Sequence, residues 1–348
     1  MFPNRDWEAG NLMNRSQNPI FTPEQLELVI RLQNIFMPYA QKQRQKLYGN
    51  RPNEAQVRFV HYTSAEAALS IIKSKRIWMR NTNCMSDYRE VQHGFDILSR
   101  FFADNSKRNA FVEALDACAS GVAKESIDLF NQWWNDTRFN TYISAISEHD
   151  KGEDLYGRLS MWRAFGGNIA RVAIVFTVPW FSSGSLALNL LFSPVAYLTE
   201  PSAQNLLIEV IENVRKNCDF LRTVDRAILV RTAFLMLLAN VVCHKHRGFH
   251  EEREWRAIYA PKRWPSSLME SSTEVIGGVP QIVYKIPLDS AVSEILADLE
   301  FSRIFDRLII GPSPYPWPMY EAFVAALTKA GVTEPEKRVI ASDIPIRF

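Results

Sequence analysis

The order of predicted strands and helices constrains the fold of this chain more than any other feature. Strand-like segments occur at 57–61, 77–80, 142–146, 172–178, 195–198, 254–260, 282–286, 308–311 and 338–341. Helices do not alternate with them regularly, and two stretches, about 89–136 and 201–243, have a helical pattern. Regular alternation would predict a parallel α/β sheet, whereas this mixture predicts an α+β fold.

The first 50 residues are predicted to form an N-terminal arm and helix. Residues 1–21 are polar and irregular, and then Thr22, Pro23 and Gln25 supply a capping box with proline at the first helical position. Apolar residues at helical spacing continue this helix to about residue 48. No composition break follows, so residues 51–348 are predicted to be one domain with helical insertions at about 89–136 and 201–243.

Glycine is scarce, which narrows the kinds of nucleotide site this chain can build. There are 14 glycines in 348 residues, about 4% against an average near 7%. Neither G-x-G-x-x-G nor G-x-x-x-x-G-K-S/T occurs, which argues against Rossmann and P-loop sites. The net charge of +2 gives no overall field for nucleic acid or an anionic membrane.

Cysteine usage and hydropathy predict a cytoplasmic protein with no membrane segment. The four cysteines are Cys84, Cys118, Cys218 and Cys243. They are widely spaced without a C-x-x-C pair, which predicts reduced, mostly buried thiols. The N-terminus lacks a signal-peptide pattern. The most apolar stretch, 227–243, contains Arg231 and Asn240 and is shorter than a membrane span.

The first candidate site is His61-Tyr62-Thr63, at the predicted end of a strand and the start of a helix. A histidine there lies near backbone N–H groups at a helix N-terminus, where a polar ligand could bind. The alternative is a structural histidine at a strand end, with Thr63 as a helix cap. The pattern alone favours the structural interpretation.

The second candidate site lies within Phe249-His250-Glu251-Glu252-Arg253-Glu254-Trp255-Arg256. On a strand, Glu252, Glu254 and Arg256 would share one face and Trp255 the other. Two neighbouring carboxylates raise each other's pKa, which suits binding of ribose hydroxyls or of a developing cation. A solvated charge run explains the pattern equally well.

Two segments suggest metal sites more weakly. His246 and His250 have a zinc-like spacing, but Gly248 interrupts a helix between them and the flanking basic residues repel a cation. Asp87 and Glu90 precede a predicted helix and could bind Mg²⁺, although helix capping is the simpler explanation. We expect no metal site.

Trp162 and Phe165 precede a glycine pair and the strand at 172–178. They could flank a planar ring. Packing in the core is the simpler role for such large apolar side chains.

Taken in order, these motifs resemble a bacterial protein family of unknown function over about residues 57–348. The matching positions are His61-Tyr62-Thr63-Ser64, Trp78, Asp87, Glu90, Trp162-Arg163, Phe165-Gly166, Val172-Ala173-Ile174, Phe176, Phe249, Glu252, Glu254-Trp255-Arg256, Gly311-Pro312, Ser342 and Arg347. Three positions depart from the family pattern: Ser86 and Tyr88 replace Asn and Pro, and Phe165 replaces Tyr. The arm at 1–50 lies outside the resemblance.

This layout also resembles ADP-ribosyltransferases of the histidine-first class, which include tRNA 2′-phosphotransferases and nucleic-acid-modifying toxins. The resemblance implies a split β-sheet core that binds NAD as a substrate without a glycine-rich fingerprint. It implies that His61 holds a ribose hydroxyl, that Glu254 holds the nicotinamide ribose and stabilises an oxocarbenium-like transition state, and that Glu252 orients or deprotonates the acceptor. The implied cofactor-binding residues are His61, Tyr62, Thr63, Trp162 and Phe165.

We therefore expect an NAD-dependent ADP-ribosyltransferase, a toxin or anti-phage effector that modifies nucleic acid or protein and that a partner protein could regulate. One alternative is a metal-dependent nuclease or hydrolase with Asp87, Glu90, Glu252 and Glu254 around Mg²⁺. The other is a non-catalytic interaction module that uses the helix at 22–48 to bind a partner or to oligomerise.

Overall fold

The computed structural model describes residues 22–49, 57–84, 88–164, 170–179 and 183–345, and it has the mixed α+β fold expected from the sequence. The strands are β1 (Arg58–Ser64), β2 (Arg76–Asn81), β3 (Tyr142–Glu148), β4 (Arg171–Thr177), β5 (Leu191–Pro194), β6 (Ala196–Tyr197), β7 (His244–Lys245), β8 (Glu254–Tyr259), β9 (Glu270–Ile276), β10 (Val279–Pro287), β11 (Phe305–Ile310) and β12 (Val339–Ala341). The α-helices are α1 (Pro23–Phe36), α2 (Pro38–Tyr48), α3 (Ala65–Ser74), α4 (Tyr88–Ala103), α5 (Asn105–Asp116), α6 (Val122–Asn140), α7 (Leu159–Ala164), α8 (Ser183–Ala187), α9 (Glu200–Lys216), α10 (Cys218–Leu221), α11 (Arg226–Val242), α12 (Phe301–Ile304) and α13 (Pro316–Lys329).

Ten of the strands in the described residues form one sheet around β3. Its main path runs β12-β11-β4-β1-β3-β2-β10-β9, and β8 joins β3 along its other edge with β5 beyond it. The pairs are antiparallel except for the parallel pair β11 and β12. Strands β6 and β7 form a separate parallel pair.

The sheet forks on one edge of β3, because two strands share that edge. β1 pairs with its C-terminal end, where Phe59 and Val60 lie opposite Glu148 and Ser147. β2 pairs with its N-terminal end at 142–143. Between these contacts β1 stays with β4, and β2 stays with β10. We call the divergence beside residues 144–146 the fork.

Alternation along the strands gives the sheet two distinct faces. On β4, Val172 and Ile174 point into a core that includes residues of α3 and α13, and we call this side the α3 face. Ala173, between them, points into a cluster with Trp162 of α7. Ile258 of β8 lies on the same side as Ala173 and joins the core built on α4, α6 and α11. We call this side the α11 face.

The helices of the two predicted insertions form the layer over β3 and β8. Gly94 permits α4 to lie directly on α11, because a Cβ at this position would come within 2.4 Å of the Val241 carbonyl oxygen. This close contact fixes the C-terminal end of α11 against the sheet. Within the described ranges, no helix is long and apolar enough to span a membrane.

The N-terminal helix differs from the prediction. Instead of one helix to residue 48, the chain forms α1 and α2 with a break at Met37, because Pro38 cannot continue the hydrogen bonding of α1 and begins a new helix at its first position. Leu32, Ile35 and Phe36 of α1 are buried in the same core as α9 and α11. The arm is therefore packed against the body of the protein.

Candidate functional site

Charged side chains near the start of β8 form a buried ionic network on the α11 face. Arg256 Nε lies 2.7 Å from Glu254 Oε1, and Lys245 Nζ lies 3.4 Å from Glu254 Oε2. The same ammonium lies 2.7 Å from Glu252 Oε2. The side chains of Glu254, Arg256 and Lys245 are 7%, 1% and 3% exposed. We call these four residues the Glu254 network.

The chain enters β8 through a turn that points Glu254 inward. The 3₁₀ helix Arg247–Glu252 ends at Arg253, which has a left-handed backbone with φ of 44°. The Glu254 backbone N–H then donates to the Tyr197 hydroxyl at 2.9 Å. The sequence pattern had placed Glu252 on a strand with Glu254. In the structure Glu252 lies in the 3₁₀ helix instead, because the left-handed turn separates it from β8.

The Glu254 carboxylate is held in its ionised form. Burial acts to raise the pKa of Glu254, but the charge and hydrogen bonds of Arg256, together with Lys245, outweigh burial and lower it. Arg256 also donates to the Val242 carbonyl at the end of α11. The carboxylate is thus a fixed anion that joins β7 to β8.

Tyr62 and Trp162 lie in contact on the same face. Their ring centroids are 4.8 Å apart in an edge-to-face arrangement. The Tyr62 oxygen accepts a hydrogen bond from the Arg158 backbone N–H at 2.8 Å, and the Trp162 indole N–H donates to the Tyr156 carbonyl at 2.7 Å. Burial is the main cause that raises the pKa of Tyr62 to about 12. Both polar groups are therefore engaged within the protein.

Arg158 connects this aromatic pair to the Glu254 network. Its guanidinium donates to the carbonyls of Glu251 and Glu252 at 2.9 and 3.1 Å. It also lies 2.8 Å from a carboxylate oxygen of Glu153. Four predicted site residues are thus gathered on the α11 face, namely Tyr62, Trp162, Glu252 and Glu254.

His61 lies in the fork and points to the other face. It is the partner of Ile174 in the β1–β4 register, and Ile174 belongs to the α3-face core. The ring is half-buried, and its Nδ1 lies 2.9 Å from the Ala145 carbonyl oxygen of β3. Burial lowers the pKa of His61, although the contact with Ala145 opposes this effect. The imidazole occupies the gap where β1 leaves β3.

Thr63 shares the α3 face with His61, since it lies two residues further along β1 opposite Val172. The prediction that Thr63 caps the helix is wrong: the cap is Ser64, whose side chain accepts a hydrogen bond from the Ala67 N–H at 3.1 Å. Thr63 remains on the strand because β1 pairs with β4 as far as Ser64.

The sheet separates His61 from Glu254. Val60 lies opposite Ser147, and Ser147 lies opposite Glu254, so these three side chains share the α11 face. His61, next to Val60, points to the opposite face. The structure thus brings His61 together with Thr63 and brings Tyr62 together with Trp162, but it does not bring His61 and Glu254 into one cleft. Phe165 lies outside the described residues.

The arrangement offers little support for a metal centre. In the part of the chain that the structure describes, no three His, Cys, Asp or Glu side chains are grouped as ligands. The ammonium of Lys245 lies against both Glu252 and Glu254, where it would repel a cation. Asp87 and the side chain of Glu90 lie outside the described residues. His246 accepts a hydrogen bond from the Gly248 N–H as a local cap.

A cavity of about 60 Å³ lies among the helices of the α11 face, between the junction of α1 and α2, α9 and α11. It has room for a few water molecules but not for a nucleotide. His244 lines this cavity, and its buried Nε2 has no hydrogen-bond partner among the described atoms. Burial, reinforced by neighbouring His93, lowers the pKa of His244 to about 4.

Sequence reasoning missed the two residues that organise the α11 face, Lys245 and Arg158. In the sequence, Lys245 counted only against a zinc site, although a lysine just after the apolar stretch at 227–243 is a signal for a paired cation. Arg158 pairs locally with Glu153, but its link to the Glu254 network gives no local signal, because those partners are main-chain carbonyls about ninety residues away.

Comparison with curated proteins and with solved structures finds no match. A family model does match residues 161–257, and the family is described as a protein of unknown function (DUF2971). The matched stretch begins in α7 and ends in β8, so it contains Trp162, Glu252 and Glu254 but not His61. From α7 to β8, this chain is therefore similar to a family of unknown function, over a shorter stretch than the 57–348 expected from the sequence.

Proposed function

We propose that this protein binds NAD at the fork, with His61 against a ribose hydroxyl, and that transfer of ADP-ribose is the activity this binding serves. One observation carries the proposal: Nδ1 of His61 lies 2.9 Å from the Ala145 carbonyl oxygen. A carbonyl oxygen can only accept, so Nδ1 must donate, and in a neutral ring Nε2 is then an acceptor.

The protonation state of His61 supports this role. Burial lowers the pKa of the ring, which keeps it neutral at pH values around 7. A neutral acceptor nitrogen is complementary to a hydroxyl donor such as that of ribose. His61 as a whole residue is half-buried, so it does not lie in the closed core of the sheet.

The position of α3 adds a second argument. Helix α3 begins at Ala65, four residues after His61, and has ten residues. The partial positive charge of a helix N-terminus favours a phosphate group nearby. A dinucleotide with its ribose at His61 would have its pyrophosphate within reach of this end.

The predicted catalytic roles of Glu252 and Glu254 stay predictions. Glu254 is ion-paired on the α11 face, so it would reach a ribose at His61 only if the Glu254 network rearranged. The acceptor, the action as a toxin or anti-phage effector, the regulatory partner and the cytoplasmic location are likewise predictions.

A non-catalytic module is the second candidate, and the closed Glu254 network favours it. A carboxylate bonded to Arg256 and Lys245 has an evident structural role that needs no substrate. In this alternative the arm is not a free partner-binding helix, because Leu32, Ile35 and Phe36 already pack against the body.

NAD titration of the purified protein by calorimetry tests the binding step. Asparagine places an amide nitrogen where His61 has Nδ1, so His61→Asn keeps the donor to Ala145 and removes the Nε2 acceptor. We expect His61→Asn to weaken NAD binding at least about tenfold, the equivalent of about 1.4 kcal/mol. His250→Asn, at an exposed histidine, is the control and should bind as wild type does.

The transfer step is tested separately with labelled NAD and cell extract. Label transfer by the wild-type protein that is lost in His61→Asn supports the transferase activity. Loss of transfer in a folded Glu254→Gln protein would support the predicted catalytic role of that carboxylate. NAD binding without turnover leaves the binding module. If the wild-type protein shows no NAD binding and no turnover, the proposal is overturned.

A further inference from the structure

Two cysteines from distant parts of the chain meet at the edge of the helical layer. Cys118 follows α5, and Cys218 begins α10, 100 residues later. Their sulfur atoms are 3.2 Å apart, which is closer than two sulfur atoms in ordinary van der Waals contact. All four cysteines are free thiols, and the sequence spacing gave no indication that any two would be neighbours.

The surrounding contacts hold the two thiols in position. Cys118 Sγ also lies 3.3 Å from the Ala114 carbonyl oxygen, which can accept a hydrogen bond from the thiol and so leave a sulfur lone pair directed towards Cys218. Arg222 Nε donates to the Ala117 carbonyl at 3.2 Å and so ties the turn after α10 to the turn after α5. Forming a bond of about 2.05 Å requires an approach of only about 1.2 Å, the difference from the present distance.

The two sulfurs differ in accessibility. Cys118 is buried, and burial is the main cause that raises the pKa of its thiol to about 12. Cys218 is half-buried, so an oxidant from solvent meets it first. This asymmetry suits a two-step reaction in which an outer thiol is oxidised and an inner thiol resolves it.

We infer that Cys118 and Cys218 are a dithiol pair that a hydroperoxide converts to a disulfide. The Cys218 thiolate attacks the peroxide, the O–O bond breaks, and a sulfenic acid forms with release of water or an alcohol. Cys118 sulfur then attacks Cys218 sulfur, the S–O bond breaks, and the hydroxide leaves as water with the Cys118 proton. The two thiols lose two electrons in total, and the peroxide gains them.

The resulting bond links the turn after α5 to the start of α10, and so staples the helical layer over β3 and β8. Because the disulfide closes a loop of 100 residues, it restricts the unfolded chain strongly and should raise Tm by on the order of 5 °C. The change is reversed by a dithiol reductant.

Hydrogen peroxide treatment of the folded, reduced protein, followed by alkylation and mass spectrometry, tests the inference. We expect the number of free thiols to fall from four to two, because the pair uses two of the four cysteines. The mass of the protein before alkylation should fall by about 2 Da, which corresponds to two hydrogens. A linked peptide should contain Cys118 and Cys218. Cys218→Ser and Cys118→Ala should each abolish it, while Cys84→Ser, at a half-buried thiol elsewhere, should retain it.

Three outcomes overturn the inference. They are a wild-type protein that keeps all four thiols, a mass loss that persists in Cys218→Ser, and oxidation of Cys218 to sulfinic acid without a linked peptide. None of these outcomes depends on NAD binding, so they are independent of the proposed function.

Discussion

The two faces of the sheet around β1, β3 and β8 accommodate polar side chains in opposite ways. On the α11 face, the Glu254 carboxylate is buried between two cations. On the α3 face, at the fork, the half-buried His61 ring makes one hydrogen bond to a main-chain carbonyl. In the first site each charged group is paired within the protein, whereas in the second the neutral ring has Nε2 as the acceptor that the proposed ligand would use.

The charged motif around Glu254 therefore has a structural role in holding β7 to β8, whatever the protein binds. A buried ion pair costs much to desolvate and is stable only while its partners remain in place. The matched family stretch at 161–257 contains the Glu254 network but not the fork. The same stretch also contains β4, which pairs with His61 and Thr63 of β1.

The largest expected effect on stability comes from disrupting the Glu254 network on the α11 face. Glu254→Gln removes the negative charge between the buried Arg256 and Lys245 side chains, although Glu252 still pairs with Lys245. We expect a loss of about 3–5 kcal/mol in the free energy of unfolding. Urea denaturation measures this loss. Glu251→Gln changes an exposed neighbour and should have little effect. A fully stable Glu254→Gln protein would contradict the structural role.

The second largest effect is expected at low pH, where protonation of His244 should lower the free energy of unfolding. The folded pKa of His244 is about 4 and its unfolded value is 6.5. The unfolded chain therefore binds the proton more tightly, and stability falls as the pH drops below about 6.5, by about 2 kcal/mol at pH 5 and about 3 kcal/mol at pH 4. The lowered pKa of Glu254 adds a loss in the same direction below about pH 4.5.

Unfolding curves at pH values from about 7 to 4 measure this dependence. His244→Gln removes the titrating group and should flatten the curve over most of this range. His246→Gln, at an exposed histidine, is the matched control and should keep the wild-type dependence. An unchanged dependence in His244→Gln would show that another group is responsible.

At the fork, the expected effect on stability is smaller and depends on the replacement. His61→Ala leaves the Ala145 carbonyl without its partner, which should cost about 1–3 kcal/mol. His61→Asn can restore that hydrogen bond and should recover most of the loss in thermal unfolding. If both variants are equally unstable, the hydrogen bond to Ala145 is not what His61 contributes to the fold.

Tyr62→Phe should have the smallest effect. It keeps the edge-to-face contact with Trp162 but loses the hydrogen bond from the Arg158 N–H, worth about 1 kcal/mol. Because Tyr62 points to the α11 face, NAD binding should not change. Weaker NAD binding in Tyr62→Phe would mean that the ligand lies on the α11 face and would reverse the assignment of the two faces.

The sequence predicted those parts of the fold that local signals determine. The β1–α3–β2 unit follows from strand patterns around a capped helix, although the cap is Ser64 and not Thr63, and the helix-rich insertions follow from apolar spacing. Strand β9 was missed because it is an edge strand whose side chains are mostly exposed and polar, so no apolar alternation marks it. The fork depends on register between distant strands, which local patterns do not encode.

The candidate site was predictable only within single elements. The spacing of Glu254 and Arg256 correctly indicated a shared side of β8, because strand side chains alternate. Whether His61 faces Glu254 depends on the pairing of Val60 with Ser147 and of Ser147 with Glu254. A shift of one residue in either pair would reverse the answer, and nothing in the sequence specifies that parity.

The fork also divides the sheet into two parts that are joined through β3. The part of the sheet that contains β2, β10 and β9 meets β3 through the two paired positions at Arg80 and Asn81. Strand β9 lies two strand spacings beyond β2, about 10 Å away, so a rotation of about 10° at the fork would move β9 by about 2 Å. A change in the width of the fork beside His61 would therefore give its largest displacement at the outer edge of the sheet formed by β9.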